Sequence, residues 1–264
     1  MKGNVIVGQS GGPTAAINAS LAGVYRTAKD RGANKVYGML HGIQGLLKEK
    51  YIDLSDHIKT ELDAELLKRT PAAFLGSCRY KLPEIHENRE VYDKIFEILD
   101  KLDIEAFIYI GGNDSMDTIK KLSDYAIVFG HSIRFIGCPK TIDNDLALTD
   151  HTPGFGSAAR YVAASILEMA HDTYIYNTRS VLIAEIMGRD AGWLTASSVL
   201  ARNSYSQAPH LIYLPEHPFS KEQFIEDIRE QFEKREHIVI AVSEGLRDDK
   251  GQYISAETSA VDAF

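Results

Sequence analysis

The chain has 264 residues, a hydrophobic fraction of 44% and a formal net charge of −8. This composition is typical of a globular protein, and the acidic balance argues against nucleic acid or an anionic membrane surface as a partner. No apolar run reaches the roughly 18 residues that would cross a bilayer. The only two cysteines, Cys78 and Cys138, are too few for a disulfide framework or a zinc site, so we expect a reduced, cytoplasmic protein.

Short apolar runs alternate with amphipathic patterns along the chain. They predict strands at 5–7, 35–40, 106–110, 134–138, 180–186, 210–214 and 237–243, and helices at 13–31, 57–68, 88–102, 116–125, 156–170, 191–201 and 221–234. This alternation predicts an α/β protein with mostly parallel sheets and helices on both faces. A turn-rich stretch at 150–154 predicts two lobes, 1–150 and 151–264. Trp193 is expected to pack in the core.

A glycine-rich turn follows the first predicted strand, with the sequence Gly8-Gln9-Ser10-Gly11-Gly12-Pro13-Thr14. Glycines let a ligand approach the main chain, and proline suits the first position of a helix. The spacing matches neither the dinucleotide fingerprint nor the Walker A loop. By itself the turn is weak evidence for a phosphate site.

A second such turn, Gly111-Gly112-Asn113-Asp114-Ser115, lies between a predicted buried strand and a predicted helix. A helix N-terminus directs backbone N–H groups and a favourable dipole at an anion, so this arrangement can hold phosphate. The alternative is a tight turn in which the side chain of Asn113, Asp114 or Ser115 caps the helix.

The third turn, Pro139-Lys140-Thr141-Ile142-Asp143-Asn144-Asp145, also follows an apolar run. Asp143 could accept a proton and Lys140 could hold an anion; the alternative is a charged surface turn. Ligands of open α/β sheets bind at the carboxyl ends of strands. Three phosphate-compatible turns at such ends together predict a phosphate-binding site.

Six segments together resemble the phosphofructokinase family, and most closely its pyrophosphate-dependent branch. They occur in the family's order, at 8–18, 74–79, 111–115, 139–145, 187–193 and 214–216. The resemblance implies two Rossmann-like lobes, with the phosphoryl donor bound by 1–150 and the sugar phosphate by 151–264. Because family members are longer, the chain is expected to be truncated at its C-terminus.

The resemblance also implies an activity: transfer of a phosphoryl group to fructose 6-phosphate, giving fructose 1,6-bisphosphate, with Mg²⁺ as cofactor. A homo-oligomer, a dimer or tetramer, is expected as well. Asp143 would be the base that takes the proton of the sugar hydroxyl, and Lys140 and Arg79 would carry the developing charge. Donor contacts are implied for Gly11, Gly12, Gly112, Asn113, Asp114 and Ser115, and substrate contacts for Thr141, Asp143, Asp145, Met187, Gly188, Arg189 and Glu216.

Positions 114 and 140 distinguish the donors, because ATP-dependent relatives carry glycine at both. Asp114 adds bulk and negative charge beside the path of a nucleotide, whereas Lys140 adds a cation suited to pyrophosphate. Asn113 stands where well-known members place an aspartate for Mg²⁺. The ion could then arrive on the pyrophosphate and touch Asp114 or Asp143, directly or through water, and Asp114 is the candidate metal ligand. An ATP-dependent 6-phosphofructokinase remains an alternative. So does a non-catalytic subunit that senses sugar phosphate, although an intact Asp143 argues against it.

Overall fold

The computed structural model describes residues 3–257. The chain divides into two compact units, and the first unit ends at Thr141 while the second begins at Ile142. This division lies ahead of the boundary expected at 150/151. The intervening loop belongs to the second unit because Asn144 anchors it there: its Nδ2 donates to the Asp150 carbonyl at 3.1 Å, and its Oδ1 accepts from the Thr152 N–H at 2.9 Å.

The first unit is built on a five-stranded sheet. Its strands are β1 (Asn4–Gln9), β2 (Val36–Met39), β3 (Tyr51–Asp53), β4 (Ile104–Gly111) and β5 (Arg134–Pro139), in the order β3-β2-β1-β4-β5. All neighbours pair in parallel except β3, which runs antiparallel to β2. The helices are α1 (Ile17–Asp30), α2 (Gly42–Leu46), α3 (Glu61–Arg69), α4 (Arg89–Lys101) and α5 (Asn113–Phe129).

Strand β1 shows why this sheet is covered on both faces. Its side chains alternate between two apolar clusters: Ile6 packs with Phe107 and other aromatic residues, while Val5 and Val7 pack with residues of α1 such as Leu21. Parallel sheets are buried in this way because crossover helices lie on both sides. The prediction of a mostly parallel α/β fold is confirmed.

The second unit contains a three-stranded parallel sheet, formed by β6 (Ser180–Ile186), β7 (Leu211–Tyr213) and β8 (His237–Ser243) in the order β6-β8-β7. Its helices are α6 (Phe155–Thr173), α7 (Trp193–Ser197) and α8 (Lys221–Phe232). Ile166 of α6 and Val239 of β8 belong to its main apolar cluster, and Leu194 and Ala241 to a smaller one. No helix within residues 3–257 combines the length and apolar character that a membrane span requires.

Two expectations from the sequence are wrong. The first helix begins at Ile17, not at Pro13: residues 15–16 form a turn, in which the Ile17 N–H donates to the Thr14 carbonyl at 3.4 Å. Trp193 does not pack in the core. It begins the short helix α7, the residue is 56% exposed, and it lines a surface cavity of about 790 Å³ within the second unit.

Candidate active site

Three loops leave the carboxyl ends of β1, β4 and β5 in the first unit, and two of them line one cavity of about 390 Å³. A fourth segment, the irregular stretch that carries Arg79, completes its wall. The cavity is lined by Ser10, Gly11, Gly12, Cys78, Arg79, Tyr80, Gly112, Asn113, Asp114 and Ser115. The structure therefore brings together Arg79 and all six residues expected to contact the donor.

The first glycine loop is joined to the Arg79 segment by two hydrogen bonds. The Gly11 N–H donates to the Cys78 carbonyl, and the Ser77 hydroxyl donates to the Gly11 carbonyl. Gly11 adopts a φ of +76°, which a residue with a side chain rarely adopts. The glycine at this position thus allows the loop to turn back against the segment that presents Arg79.

Helix α5 begins at the second glycine pair. Gly112 is its N-cap residue and no side chain caps the helix, so the alternative of a turn capped by Asn113, Asp114 or Ser115 is not what the structure contains. Asn113 and Asp114 are exposed and line the cavity. Because the first N–H groups of an α-helix have no intrahelical partner and its dipole is positive at that end, this geometry suits an anion.

Ser115 ties the start of α5 to the first loop. Its hydroxyl is buried and hydrogen-bonds the hydroxyl of Ser10. The contact depends on Gly111, since a Cβ added there would lie 1.9 Å from Ser115 Oγ. The two glycine loops are therefore held in one arrangement by a pair of buried hydroxyls.

Lys140 is buried beside these loops, with 5% of its surface exposed. Its backbone N–H donates to the Gly111 carbonyl at 3.0 Å. Its Nζ lies 3.6 Å from the position that a Cβ on Gly11 would occupy. A buried ammonium at this place does not fit the alternative of a charged surface turn, and it supplies positive charge next to the two glycine loops.

Two buried amides support this half of the site and were not anticipated from the sequence. Gln9 Oε1 accepts from the Leu75 N–H at 2.9 Å, and its Nε2 donates to Asn18 Oδ1 at 3.0 Å. Asn18 in turn accepts from the Phe74 N–H at 2.9 Å and donates to the Thr70 carbonyl at 2.9 Å. These bonds fix the segment that leads to Arg79.

Two of the segments expected to bind the sugar phosphate, Met187–Arg189 and the one carrying Glu216, lie at the carboxyl ends of strands of the second unit. Gly188, after β6, has a φ of +128°; its N–H donates to Glu244 Oε1 at 3.0 Å, and its carbonyl accepts from Ser243 Oγ at 2.7 Å. Met187 and Arg189 on either side of it are exposed. Glu244 is a further acidic residue here that the sequence patterns did not single out.

Glu216, after β7, approaches the same loop. Its Oε1 accepts from the Gly192 N–H at 2.7 Å, and a Cβ on Gly192 would lie 2.6 Å from Glu216 Oε2. The two expected substrate segments, 187–193 and 214–216, therefore meet within this unit. Their contact orients the Glu216 carboxylate.

The segment 141–145 spans the end of the first unit and the start of the second. Thr141, the last residue of the first unit, and Asp143, in the second, are half-buried, and Asp145 is exposed. Asn144 between the two aspartates has a φ of +59° and is buried. Its side-chain bonds to the 150–152 turn fix the backbone from which Asp143 and Asp145 project.

Comparison with known proteins identifies the family to which these features belong. A family model described as phosphofructokinase matches residues 4–262. The chain belongs to the phosphofructokinase family. The resemblance in the sequence motifs is thereby confirmed over nearly the whole chain.

Among its relatives in this family is the pyrophosphate–fructose 6-phosphate 1-phosphotransferase of Xanthomonas campestris. It is 44% identical over 264 residues, which cover 99% of this chain and 62% of that relative. A solved pyrophosphate-dependent phosphofructokinase from Nitrosospira multiformis has a TM-score of 0.85 and 38% identity, over 94% of this chain and 62% of that one. An ATP-dependent 6-phosphofructokinase of Glaesserella parasuis is 37% identical over 90% of this chain and 68% of that relative. The chain thus spans less than two thirds of the pyrophosphate-dependent relatives.

The cavity formed by the two glycine loops and the Arg79 segment offers a metal ion few ligands of its own. Within residues 3–257, no cluster of three or more His, Cys, Asp or Glu side chains could hold a metal. Asp114 is the one carboxylate among the residues that line the cavity. This fits Mg²⁺, which commonly binds through one or two carboxylates together with substrate phosphates and water.

Proposed function

We propose that this chain carries the donor site and substrate-binding residues of an enzyme that transfers a phosphoryl group from pyrophosphate to fructose 6-phosphate. The observation that supports this most is the buried Lys140 ammonium beside Gly11, in the unit whose donor cavity also carries Asp114. A compact, highly charged donor gains from a cation at short range in a poorly solvated site. A nucleotide would bring its α-phosphate towards a carboxylate.

The donor is bound by charge and by backbone N–H groups. Lys140 and Arg79 supply positive charge, and Gly11, Gly12 and Gly112 let phosphate oxygens approach the main chain. Ser115 and Asn113 offer polar side chains at the start of α5. Arginine suits the transferring group because its planar guanidinium donates several hydrogen bonds in a fixed geometry.

The acceptor is activated by Asp143. Its carboxylate takes the proton of the 1-hydroxyl of fructose 6-phosphate, and the hydroxyl oxygen attacks one phosphorus of pyrophosphate in line. A new phosphorus–oxygen bond forms as the bridging bond breaks, and inorganic phosphate leaves with the bridging oxygen. Thr141 and Asp145 orient the sugar. The sugar phosphate is bound by Met187, Gly188 and Arg189, and sugar hydroxyls by Glu216.

Mg²⁺ belongs to this proposal as an ion shared between protein and donor. Asp114 would hold it together with oxygens of pyrophosphate, where the ion would neutralise part of the donor's charge. Asn113 is neutral and contributes less to such a site. This role gives Asp114 a second use beside excluding a nucleotide.

The relatives support the same choice of donor. Those named as pyrophosphate–fructose 6-phosphate 1-phosphotransferases reach 44% identity, whereas an ATP-dependent 6-phosphofructokinase reaches 37%. Sequence identity alone distinguishes the pyrophosphate-dependent relatives from the ATP-dependent ones only weakly. The charges of Asp114 and Lys140 give a chemical reason to choose pyrophosphate as the donor.

A kinetic assay of the purified protein tests the proposal. Fructose 6-phosphate is supplied with Mg-pyrophosphate or with Mg-ATP, and fructose 1,6-bisphosphate is measured. We expect product with pyrophosphate and little with ATP. Product with ATP alone would assign the chain to the ATP-dependent branch, and binding of sugar phosphate without turnover would favour a sensing subunit.

The proposal extends to location and assembly. Both cysteines are unpaired, which fits a reducing cytoplasm. A homo-oligomer, dimer or tetramer, follows from resemblance to a family whose members often assemble in this way. Sedimentation of the purified protein measures its mass directly, and a monomer at micromolar concentration would contradict the assembly.

A further inference from the structure

Lys121 lies in α5, two turns after the residues that line the donor cavity, and is nearly buried at 9% exposure. Its Nζ donates to the carbonyl of Leu82 at 3.0 Å. It also forms ion pairs with Glu84 Oε1 at 2.8 Å and with Asp117 Oδ2 at 2.9 Å. One ammonium thus joins the helix to a segment 39 residues earlier in the chain.

The segment that Lys121 holds is the one that presents Arg79. Residues 70–88 contain no helix or strand, so packing and hydrogen bonds must fix their path. On one side of Arg79 the segment bonds the first glycine loop through the Cys78 carbonyl. On the other side Leu82 is buried in the core, and the Lys121 ammonium holds its carbonyl.

The contact requires a positively charged side chain at position 121. Hydrogen bonds to Glu84 and then to Asp117 raise the pKa of Lys121, so the ammonium stays charged at neutral pH. Removing it would leave the Leu82 carbonyl without this donor and two carboxylates without their cation. An apolar side chain of similar length could fill the space but could not fix the position of the loop.

We propose that Lys121 is a positioning residue for the transfer reaction, which sets the distance between Arg79 and the N-terminus of α5. Lys121 joins α5 to the segment at Leu82. Arg79 belongs to that segment and Asn113–Ser115 to the start of α5, and both line the donor cavity. The proposal rests on the proposed function, since it gives Arg79 a role in binding the donor. Lys121 itself acts only through Arg79.

Three variants test the role of Lys121. Lys121→Met removes the ammonium, Lys121→Arg keeps a cation that can reach the same oxygens, and Lys120→Met is the matched control because Lys120 is exposed. We expect Lys121→Met to lower kcat/KM for pyrophosphate roughly 10–100-fold, with KM for fructose 6-phosphate within about twofold of the wild type. Lys121→Arg should recover much of the loss, and Lys120→Met should match the wild type.

A double-mutant cycle with Arg79→Ala separates positioning from general stability. If Lys121 acts through Arg79, Lys121→Met should cost little once Arg79 is absent. An equal fall in kcat/KM with and without Arg79 would overturn the proposal. So would an equal rise in KM for pyrophosphate and for fructose 6-phosphate. If Lys121→Met does not fold, Glu84→Gln replaces it, because Glu84 is 54% exposed and loses only one contact.

The cycle also distinguishes this proposal from the proposed function. If the wild type uses ATP and not pyrophosphate, the choice of donor fails, and the same cycle with ATP still tests Lys121. If it turns over neither donor, calorimetric binding of inorganic pyrophosphate to the four proteins of the cycle replaces kinetics. Coupled losses of affinity support positioning, and additive losses or no losses overturn it.

Discussion

Lys140 Nζ lies 3.6 Å from the point where a Cβ on Gly11 would lie, and that point is 3.8 Å from the Gly112 backbone nitrogen. The loops after β1, β4 and β5 therefore converge on one place in the first unit. Two of them contribute glycine and the third contributes a buried cation. The ends of three parallel strands thus combine main-chain access with positive charge, which is what a small phosphate donor requires.

Replacing Asp114 and Lys140, the two residues proposed to select the donor, should shift the preference towards ATP. The double variant Asp114→Gly, Lys140→Gly removes a carboxylate from the cavity and a buried ammonium from its edge. We expect kcat/KM for pyrophosphate to fall at least 100-fold, in line with the loss of charge contacts in the transition state, and kcat/KM for ATP to rise. Initial rates with each donor provide the measurement.

The matched control for that experiment lies farther along the same helix. Asp124 is exposed on α5, so Asp124→Asn removes one negative charge without touching the cavity. It should leave kcat/KM unchanged for both donors. An unchanged ratio of kcat/KM for ATP to kcat/KM for pyrophosphate in the double variant would show that positions 114 and 140 do not select the donor.

Asp143 should be required for chemistry and dispensable for binding. Asp143→Ser removes the proposed base, and such a loss typically costs 10²–10⁴-fold in rate. Fructose 6-phosphate should still bind with near-normal affinity, measured by calorimetry. Asp172→Ser is a suitable control, because Asp172 is an exposed acidic residue of the same unit on α6. Near-normal turnover by Asp143→Ser would assign the base elsewhere.

Gly111 and Gly12 should respond differently to alanine. A Cβ on Gly111 would lie 1.9 Å from Ser115 Oγ, whereas nothing lies within 4 Å of a Cβ on Gly12. Overpacking of this kind costs about 1–3 kcal/mol, so Gly111→Ala should lower the free energy of unfolding by that amount. Chemical denaturation of both variants provides the comparison. Equal stabilities would mean that the start of α5 moves aside at little cost.

His210 should make the protein less stable in mild acid. Burial, and then the charges of Arg235 and Arg202, lower the pKa of His210 from its usual value near 6.5 to about 4. The unfolded chain therefore binds the extra proton first, and stability declines as the pH falls from about 6.5 to about 4. Above about 6.5 both states are neutral at this residue, and it has no effect on the pH dependence.

The variant His210→Asn isolates that contribution. His210 Nδ1 accepts from the Val239 N–H at 2.9 Å, and an asparagine oxygen can take over this bond without titrating. Urea unfolding at a series of pH values should show a shallower decline for the variant than for the wild type. Parallel curves would indicate that other groups cause the acid sensitivity.

The main elements of the fold could be predicted from the sequence because their apolar runs are long and bounded by turns. The strand β3 and the helix α2 could not. β3 has three residues, and α2 contains two glycines in five positions, so neither has a pattern that local propensity detects. Tertiary contacts form both elements: β3 pairs with β2, and the Gly45 N–H donates to the His41 carbonyl at 3.2 Å.

The loops of the site were predictable for a different reason, since glycines and charges at strand ends carry their own chemical meaning. Their supports were not. Gln9 bonds the backbone of Leu75, which is 66 residues away, and Asn18 bonds that of Thr70, which is 52 residues away. A buried amide inside a glycine motif does not indicate its partner, because the partner is a backbone group brought near only by the complete fold.

A crystal structure of the protein with inorganic pyrophosphate and Mg²⁺ tests the central claim most directly. We expect pyrophosphate in the first unit's cavity, with its oxygens within hydrogen-bond distance of Lys140 Nζ and the Gly11 or Gly112 N–H, and with Asp114 facing the ion. A parallel soak with ATP should leave the cavity without an ordered triphosphate. A complete triphosphate bound in contact with both Asp114 and Lys140, or pyrophosphate bound elsewhere, would contradict the account.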